Sequence, residues 1–114
     1  MKNLDLSVLN IMSKKKDIRE GYRKFLETPG AYLLDVRERY EFNEGNLARS
    51  RSFPLTQIDK IESLVRDKSA PIFVYCQTGK RSKDAEKKLR KMGYTNVTDI
   101  GGLEEYNGKL RKQA

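Results

Sequence analysis

The sequence predicts an α/β fold in which a central, mostly parallel β-sheet is flanked by helices, giving a three-layer sandwich. Two observations carry this prediction. Short apolar segments alternate along the chain with segments whose apolar residues recur at helical spacing, which is the pattern of α/β proteins. Residues 31–36 and 71–75 are apolar almost throughout, as expected for strands of a parallel sheet that is covered on both faces.

The N-terminal part of the chain predicts one short extended segment and one helix. The extended segment is indicated by alternating apolar residues at Leu4, Leu6, Val8 and Ile11. Ser13 is predicted to cap a helix that runs to about Leu26. The apolar residues of this helix share one face: Ile18, Tyr22, Phe25 and Leu26. The run Thr-Pro-Gly at residues 28–30 ends it.

Residues 31–54 are predicted to form two extended segments separated by a helical turn. Residues 31–36 form a buried strand, and residues 37–42 form the turn, which Gly45 ends. Residues 51–54 form a short extended segment closed by Pro54, because proline cannot donate to a strand ladder.

A second helix is predicted next, with Thr56 as its cap. Its apolar residues again lie at helical spacing: Ile58, Ile61, Leu64 and Val65. The clearest strand of the chain follows at residues 71–75, which are apolar and rich in β-branched and aromatic side chains.

The last third of the chain is predicted to alternate helix, strand and helix. After a loop, a helix runs from Ser82 to about Met92, and Gly93 supplies the left-handed conformation that ends it. Residues 96–100 form a strand, residues 101–102 a turn, and residues 103–110 a final helix.

The chain length and the apolar runs bear on domain organisation and location. At 114 residues the chain fits a single domain, in which residues 1–12 form an N-terminal extension or an edge segment. No apolar run approaches the ~20 residues needed to cross a membrane. Residues 1–16 lack the apolar core of a signal peptide, because Asp5, Ser7 and Asn10 interrupt it. We therefore expect a cytoplasmic protein without a membrane partner.

The composition restricts the possible chemistry. A single cysteine excludes an internal disulfide and a cysteine-rich zinc site, and the absence of histidine removes the commonest ligand of transition metals. No metal site and no cofactor are predicted. The formal charge of +8 is compatible with solubility, nucleic-acid binding or attraction of an anionic substrate. No aromatic stripe accompanies the charge, so we predict that the chain binds no nucleic acid.

The most informative segment places Cys76 between a buried strand and a helix. Ligands of open α/β sheets bind at this edge, beyond the carboxyl ends of the strands. A tight loop makes a nest of inward-facing N–H groups, and Gly79 allows the loop to curl. The following helix adds its own free N–H groups and its dipole. These features favour an anion, and we expect them to favour the ionised thiolate of Cys76 without help from a histidine.

Residues 76–82, Cys-Gln-Thr-Gly-Lys-Arg-Ser, resemble the active-site loop of the rhodanese family, C-x-x-G-x-R-S. The resemblance extends upstream to residues 32–45, which contain Tyr-Leu-Leu-Asp-Val-Arg-Glu followed by Glu-Phe and a glycine. It extends downstream to residues 93–97 and 101–103. Together these blocks cover roughly residues 13–110, so the predicted sandwich is identified as a rhodanese-like fold of the single-domain type.

The resemblance implies a thiosulfate sulfurtransferase that works by covalent catalysis. Cys76 would attack the outer sulfur of a small anionic donor such as thiosulfate, sulfite would leave, and a thiol, possibly on a protein, or cyanide would remove the sulfur from the persulfide. The residues implied to bind the donor and stabilise the persulfide are Gln77, Thr78, Gly79, Lys80, Arg81 and Ser82. Asp35 and Arg37 are implied to brace the site without reacting.

The sequence departs from the family pattern after Gly45. Asn46 stands where the family usually has a histidine, and Arg49 and Ser50 stand where a compact turn is expected. Tyr106 stands where tryptophan is common. These differences concern the neighbouring loop and the partner surface rather than the cysteine loop.

Alternatives to a small-donor sulfurtransferase remain open at this point. The basic residues near the loop also suit a persulfide relay that accepts sulfur from a partner protein. A related branch contains phosphatases and arsenate reductases, but its loop is one residue longer than the six residues from Cys76 to Arg81. A non-catalytic interaction domain of this family is the remaining alternative, and the retained Cys76 and Arg81 argue against it.

Overall fold

The computed structural model describes residues 16–112. Its regular elements, in chain order, are helix α1 (Ile18–Leu26), strand β1 (Tyr32–Asp35), helix α2 (Arg39–Glu44), strand β2 (Arg51–Ser52), a 3-10 segment (Leu55–Ser63), strand β3 (Ile72–Cys76), helix α3 (Lys80–Lys91), strand β4 (Val97–Gly102) and a 3-10 turn (Leu103–Glu105). The expected extended segment at residues 4–11 lies outside the described residues.

The four strands form one parallel sheet in the order β2-β1-β3-β4. The predicted α/β architecture is therefore confirmed, and within residues 16–112 every strand pairing is parallel. β3 is one of the two inner strands, so its carboxyl end lies between those of its neighbours β1 and β4. Its five residues are all buried, as the apolar run predicts.

Two apolar clusters cover the two faces of the sheet, because successive strand side chains point to opposite sides. Leu34 and Val74 pack with the 3-10 segment and α3 on one face. Leu33 and Phe73 pack with α1 on the other face. This arrangement gives the expected three layers.

Helix α1 begins at Ile18, later than predicted. Asp17 is its cap, since its carboxylate accepts hydrogen bonds from the backbone N–H groups of Arg19 (3.0 Å) and Glu20 (3.4 Å). Ser13, the predicted cap, lies outside the described residues.

The prediction of an α-helix capped by Thr56 was wrong. Leu55–Ser63 is a 3-10 segment that begins after Pro54, and Gln57 N–H donates to the Pro54 carbonyl (2.8 Å). The buried residues Ile58 and Ile61 are three positions apart, a spacing that aligns them on one face of a 3-10 helix.

The predicted final helix at residues 103–110 was also wrong, because only the 3-10 turn Leu103–Glu105 forms. Tyr106 is already extended, with φ −97° and ψ 122°. Further on, Arg111 exchanges two backbone hydrogen bonds with Asn46, each 2.8 Å long, in an antiparallel bridge. The backbone groups of this segment are satisfied by a distant partner rather than by a helix.

Candidate active site

The loop after β3 is shorter than the sequence predicts. Cys76 is the last residue of β3, and α3 begins at Lys80 rather than at Ser82, so Lys80 and Arg81 belong to the first turn of the helix. Gly79 makes this possible, since it caps the helix with φ 99°, a left-handed conformation that favours glycine.

The sulfur of Cys76 lies inside the cradle expected for an anion. Its Sγ accepts hydrogen bonds from the backbone N–H groups of Gly79 (3.0 Å) and Ser82 (3.3 Å). The thiol also donates to Ser82 Oγ (3.5 Å), whose hydroxyl donates to the Gly79 carbonyl (3.2 Å). Cys76 is fully buried. The contacts come from the start of α3, where N–H groups have no partner within the helix.

The cysteine loop packs directly against Gly102 at the end of β4. A Cβ atom at this position would lie 2.6 Å from the Gln77 carbonyl oxygen and 2.7 Å from the Thr78 carbonyl carbon. Close by, Glu104 N–H donates to the same Gln77 carbonyl (3.0 Å). The sequence suggested a turn at residues 101–102, but both glycines belong to β4, and a register shift opposite Val74 and Tyr75 places them there.

Asp35 and Arg37 form a buried ion pair next to the loop. Arg37 Nη2 lies 2.7 Å from Asp35 Oδ2, and Arg37 Nε lies 3.0 Å from Asp35 Oδ1. Two further guanidinium N–H groups donate to the Gly45 carbonyl (2.6 Å) and to Gln77 Oε1 (3.2 Å). Arg37 thus links the end of β1 to the side chain of Gln77, the residue after Cys76.

Arg81 makes a two-pronged ion pair with Glu41 on α2. Its Nη1 and Nη2 atoms lie 2.7 Å and 3.0 Å from the two carboxylate oxygens. The side-chain hydrogen bond from Arg81 lowers the pKa of the Glu41 carboxyl, and the same contact raises the pKa of the Arg81 guanidinium. Sequence reasoning did not identify Glu41 as a site residue, and its only signal was its place in the upstream family block.

Thr78 and Lys80 are exposed and take no part in the contacts of the sulfur. With Gly79 they line a surface depression of about 410 Å³, which Glu104 and Glu105 also line. Cys76 does not line this depression.

Asn46, which replaces the usual histidine, is buried and serves as a structural link. Its Nδ2 donates to the Phe42 carbonyl (2.8 Å), and its Oδ1 accepts from Arg111 Nε (3.0 Å). Tyr75, the residue before the cysteine, is buried nearby and donates its hydroxyl to Ser50 Oγ (3.1 Å). Burial raises the pKa of Tyr75 well above its usual value, so this hydroxyl stays protonated.

Residues 16–112 contain neither a cluster of metal-ligating side chains nor a membrane-spanning helix. No group of three or more histidine, cysteine, aspartate or glutamate side chains is placed there to hold a metal ion. No helix in that range is long and apolar enough to span a membrane.

A parallel sheet in which an inner strand ends in a cysteine, with two backbone N–H groups directed at its sulfur, defines an α/β protein with a cysteine at the carboxyl edge of the sheet. Comparison with known proteins specifies the family. A family model described as the rhodanese-like domain matches residues 19–109, and the chain belongs to that family.

Solved structures and curated proteins agree with this assignment. The fold matches a structure described as rhodanese with anions from E. coli, with a TM-score of 0.67 and 30% identity over 72% of this chain and 98% of that one. The Bacillus subtilis protein YqhL is 36% identical over 98 residues, which are 85% of this chain and 72% of YqhL.

The relatives include sulfurtransferases. Thiosulfate sulfurtransferase PspE of Escherichia coli is 33% identical over 75 residues, which are 65% of this chain and 72% of PspE. The adenylyltransferase and sulfurtransferase uba4 of Ogataea parapolymorpha is 31% identical over 84% of this chain, but the match spans only 25% of that protein. The chain is therefore a rhodanese-like domain homologous to sulfurtransferases.

Proposed function

We propose that this protein is a sulfurtransferase that moves a sulfane sulfur from thiosulfate or a similar small donor to a thiol or cyanide through a persulfide on Cys76. The observation that carries the proposal is the position of Sγ, which two backbone N–H groups and the Ser82 hydroxyl surround. Donors in this arrangement stabilise a sulfur that bears negative charge.

The reaction has two half-reactions with balanced bonds. In the first, the Cys76 thiolate attacks the outer sulfur of thiosulfate, a new S–S bond forms, and the donor S–S bond breaks with its electron pair leaving on sulfite. In the second, a thiolate or cyanide attacks the terminal sulfur of the persulfide, and the electron pair of that S–S bond returns to Cys76. No external oxidant or reductant is needed.

The residues of the loop have distinct roles in this proposal. The Gly79 and Ser82 N–H groups hold the charge on sulfur, and the Ser82 hydroxyl can rotate from the Gly79 carbonyl to donate to the thiolate. Arg37 positions the loop through Gln77. Because Cys76 is buried, uptake of sulfur requires a local movement that exposes Sγ to the donor.

The proposal is tested by the intact mass of the purified protein after incubation with thiosulfate. We expect a gain of one sulfur atom that cyanide or a thiol reverses. An unchanged mass would reject thiosulfate as a donor.

Gly102→Ala should impair sulfur transfer by displacing the loop. The added Cβ would collide with the backbone of Gln77 and Thr78, which cannot swing aside as a flexible side chain would. We expect activity to fall by about tenfold or more, since small displacements of reacting groups are costly. Gly93→Ala is the matched control, because it strains a left-handed glycine that ends α3, far from the sulfur. It should lower the melting temperature without a matching loss of activity, and equal activity in both variants would contradict the role of Gly102.

A second candidate function, a persulfide relay that accepts sulfur from a partner protein, is favoured by the exposed face of α3. Its basic residues recur at three- and four-residue spacing, which aligns them on one side of the helix: Lys80, Lys83, Lys87 and Lys91. All four are exposed, and none forms an ion pair with another described residue. The stripe starts next to the cysteine loop, where an acidic partner carrying a persulfide would have to dock.

Reversing the charge of this stripe separates the two candidate functions. With Lys83→Glu/Lys87→Glu, the relay predicts that sulfur uptake from an acidic protein persulfide slows by about tenfold at low salt, while uptake from thiosulfate changes much less. Lys24→Glu/Lys60→Glu is the control, because it makes the same charge change on other exposed surfaces. Equal rates in the two double variants would remove the relay.

A further inference from the structure

The two arginines of the site are each paired with a carboxylate. Arg37 is neutralised by Asp35, and Arg81 is neutralised by Glu41. The two arginines near the sulfur therefore bring two positive charges that two carboxylates already balance. Lys80 is the remaining cation of the loop and forms no ion pair within residues 16–112.

The contact with Glu41 uses the N–H groups through which the Arg81 guanidinium would otherwise bind an oxyanion. A guanidinium binds carboxylate, sulfate or phosphate through two parallel N–H groups. Both terminal nitrogens of Arg81 are engaged in this way by the two oxygens of Glu41. An oxyanion group of a donor can use these N–H groups only if it displaces the carboxylate.

The Glu41 side chain is held in place by a hydrogen bond at the start of its own helix, α2. One of its carboxylate oxygens accepts a hydrogen bond from Glu38 N–H (2.9 Å), a contact that fixes the side chain at the start of α2. The Glu41 side chain is 18% exposed, whereas that of Arg81 is 36% exposed. The carboxylate is therefore an ordered part of the site.

We propose that Glu41 is a specificity-determining residue, whose carboxylate competes with a donor's oxyanion group for Arg81 and so disfavours small oxyanion donors relative to persulfides that carry no such group. This inference rests on the proposed sulfur transfer. It assigns to Glu41 a role in substrate selection in addition to its contact within the fold.

Glu41→Gln tests the inference with little change of shape. Glutamine can still accept the hydrogen bond from Glu38 N–H, but it no longer neutralises Arg81. We expect the KM for thiosulfate to fall about threefold or more, in keeping with the modest strength of partly exposed ion pairs. Sulfur uptake from an alkyl persulfide, which carries no oxyanion group, should not improve. Glu44→Gln is the matched control, since it removes one carboxylate from the exposed end of the same helix.

A second measurement works without turnover and so separates this inference from the proposed function. Sulfate should protect Cys76 from alkylation by iodoacetamide, and half-protection should need about threefold less sulfate in Glu41→Gln than in the parent or in Glu44→Gln. The inference would be overturned by equal effects of the two variants, by weaker sulfate binding in Glu41→Gln, or by no protection in any variant. In one outcome, the parent gains no sulfur from thiosulfate while Glu41→Gln still needs less sulfate for half-protection than the parent does. That outcome would reject thiosulfate as a donor and retain the competition between Glu41 and oxyanions for Arg81.

Discussion

Cys76→Ser should abolish sulfur transfer while leaving the fold intact. A serine hydroxyl is not ionised at neutral pH and is a poor nucleophile without an adjacent base, and the chain contains no histidine to serve as one. A serine-bound sulfur could not reproduce the symmetric S–S exchange on which both half-reactions depend. We expect activity to fall by about 10³-fold or more, as for other nucleophile replacements, and the intact mass to stay unchanged with thiosulfate.

The fold should tolerate this substitution because the serine oxygen can accept the same N–H donors. Gly79 and Ser82 direct their amides at the position of Sγ, and an oxygen there is also a hydrogen-bond acceptor. The melting temperature should therefore stay within a few degrees of the parent, as circular dichroism can show. Residual activity above a tenth of the parent value would mean that another group carries the sulfur.

Ser82→Ala is the graded control for the same site. It removes the hydroxyl near the sulfur but keeps the backbone N–H at 3.3 Å. Loss of one hydrogen bond to a charged group predicts a decrease of about tenfold to a hundredfold, well short of the loss in Cys76→Ser. A loss as large as that of Cys76→Ser would assign the chemistry to the hydroxyl instead.

Local sequence signals predicted the central part of the fold. The apolar run at residues 71–75 correctly predicted β3. A buried parallel strand can be recognised from its own hydrophobic residues, without knowing which strands pair with it. Gly93 ended α3 with φ 102°, as its conformational freedom predicted. The position of Cys76 and Gly79 at the edge of the sheet was also predictable from local sequence, because the strand, the loop and the start of the helix follow one another directly in the chain.

The parts that sequence reasoning missed depend on contacts between distant segments. The Arg81–Glu41 pair joins residues forty positions apart, and nothing in either segment alone indicates the partner. Gly102 matters because the loop after β3 lies against it, and the segment near Arg111 is extended because Asn46 pairs with it. Each of these features depends on neighbours that only the folded chain brings together. The local patterns therefore predicted a turn at residues 101–102 and a helix at residues 103–110.

Asp35→Ala should give the largest loss of stability among the substitutions near the site. It would leave the Arg37 guanidinium, 5% exposed, without the carboxylate that neutralises it. Breaking a buried ion pair from one side costs about 3–5 kcal/mol, which is a large share of the roughly 5–15 kcal/mol that stabilises a domain. The melting temperature should fall by about 12 °C or more, measured by thermal unfolding followed by circular dichroism.

The double variant Asp35→Ala/Arg37→Ala distinguishes charge burial from loss of packing. Because it leaves no unpaired charge, its free energy of unfolding should be higher than the sum of the two single effects predicts, by about 1 kcal/mol or more. Additive losses would show that the pair contributes packing alone.

The same variant tests the bracing of the cysteine loop, since it lacks the hydrogen bond from Arg37 to Gln77. Sulfur transfer should therefore remain impaired at temperatures where the double variant is fully folded, and parent-level activity there would show that Arg37 supports the fold without positioning the loop.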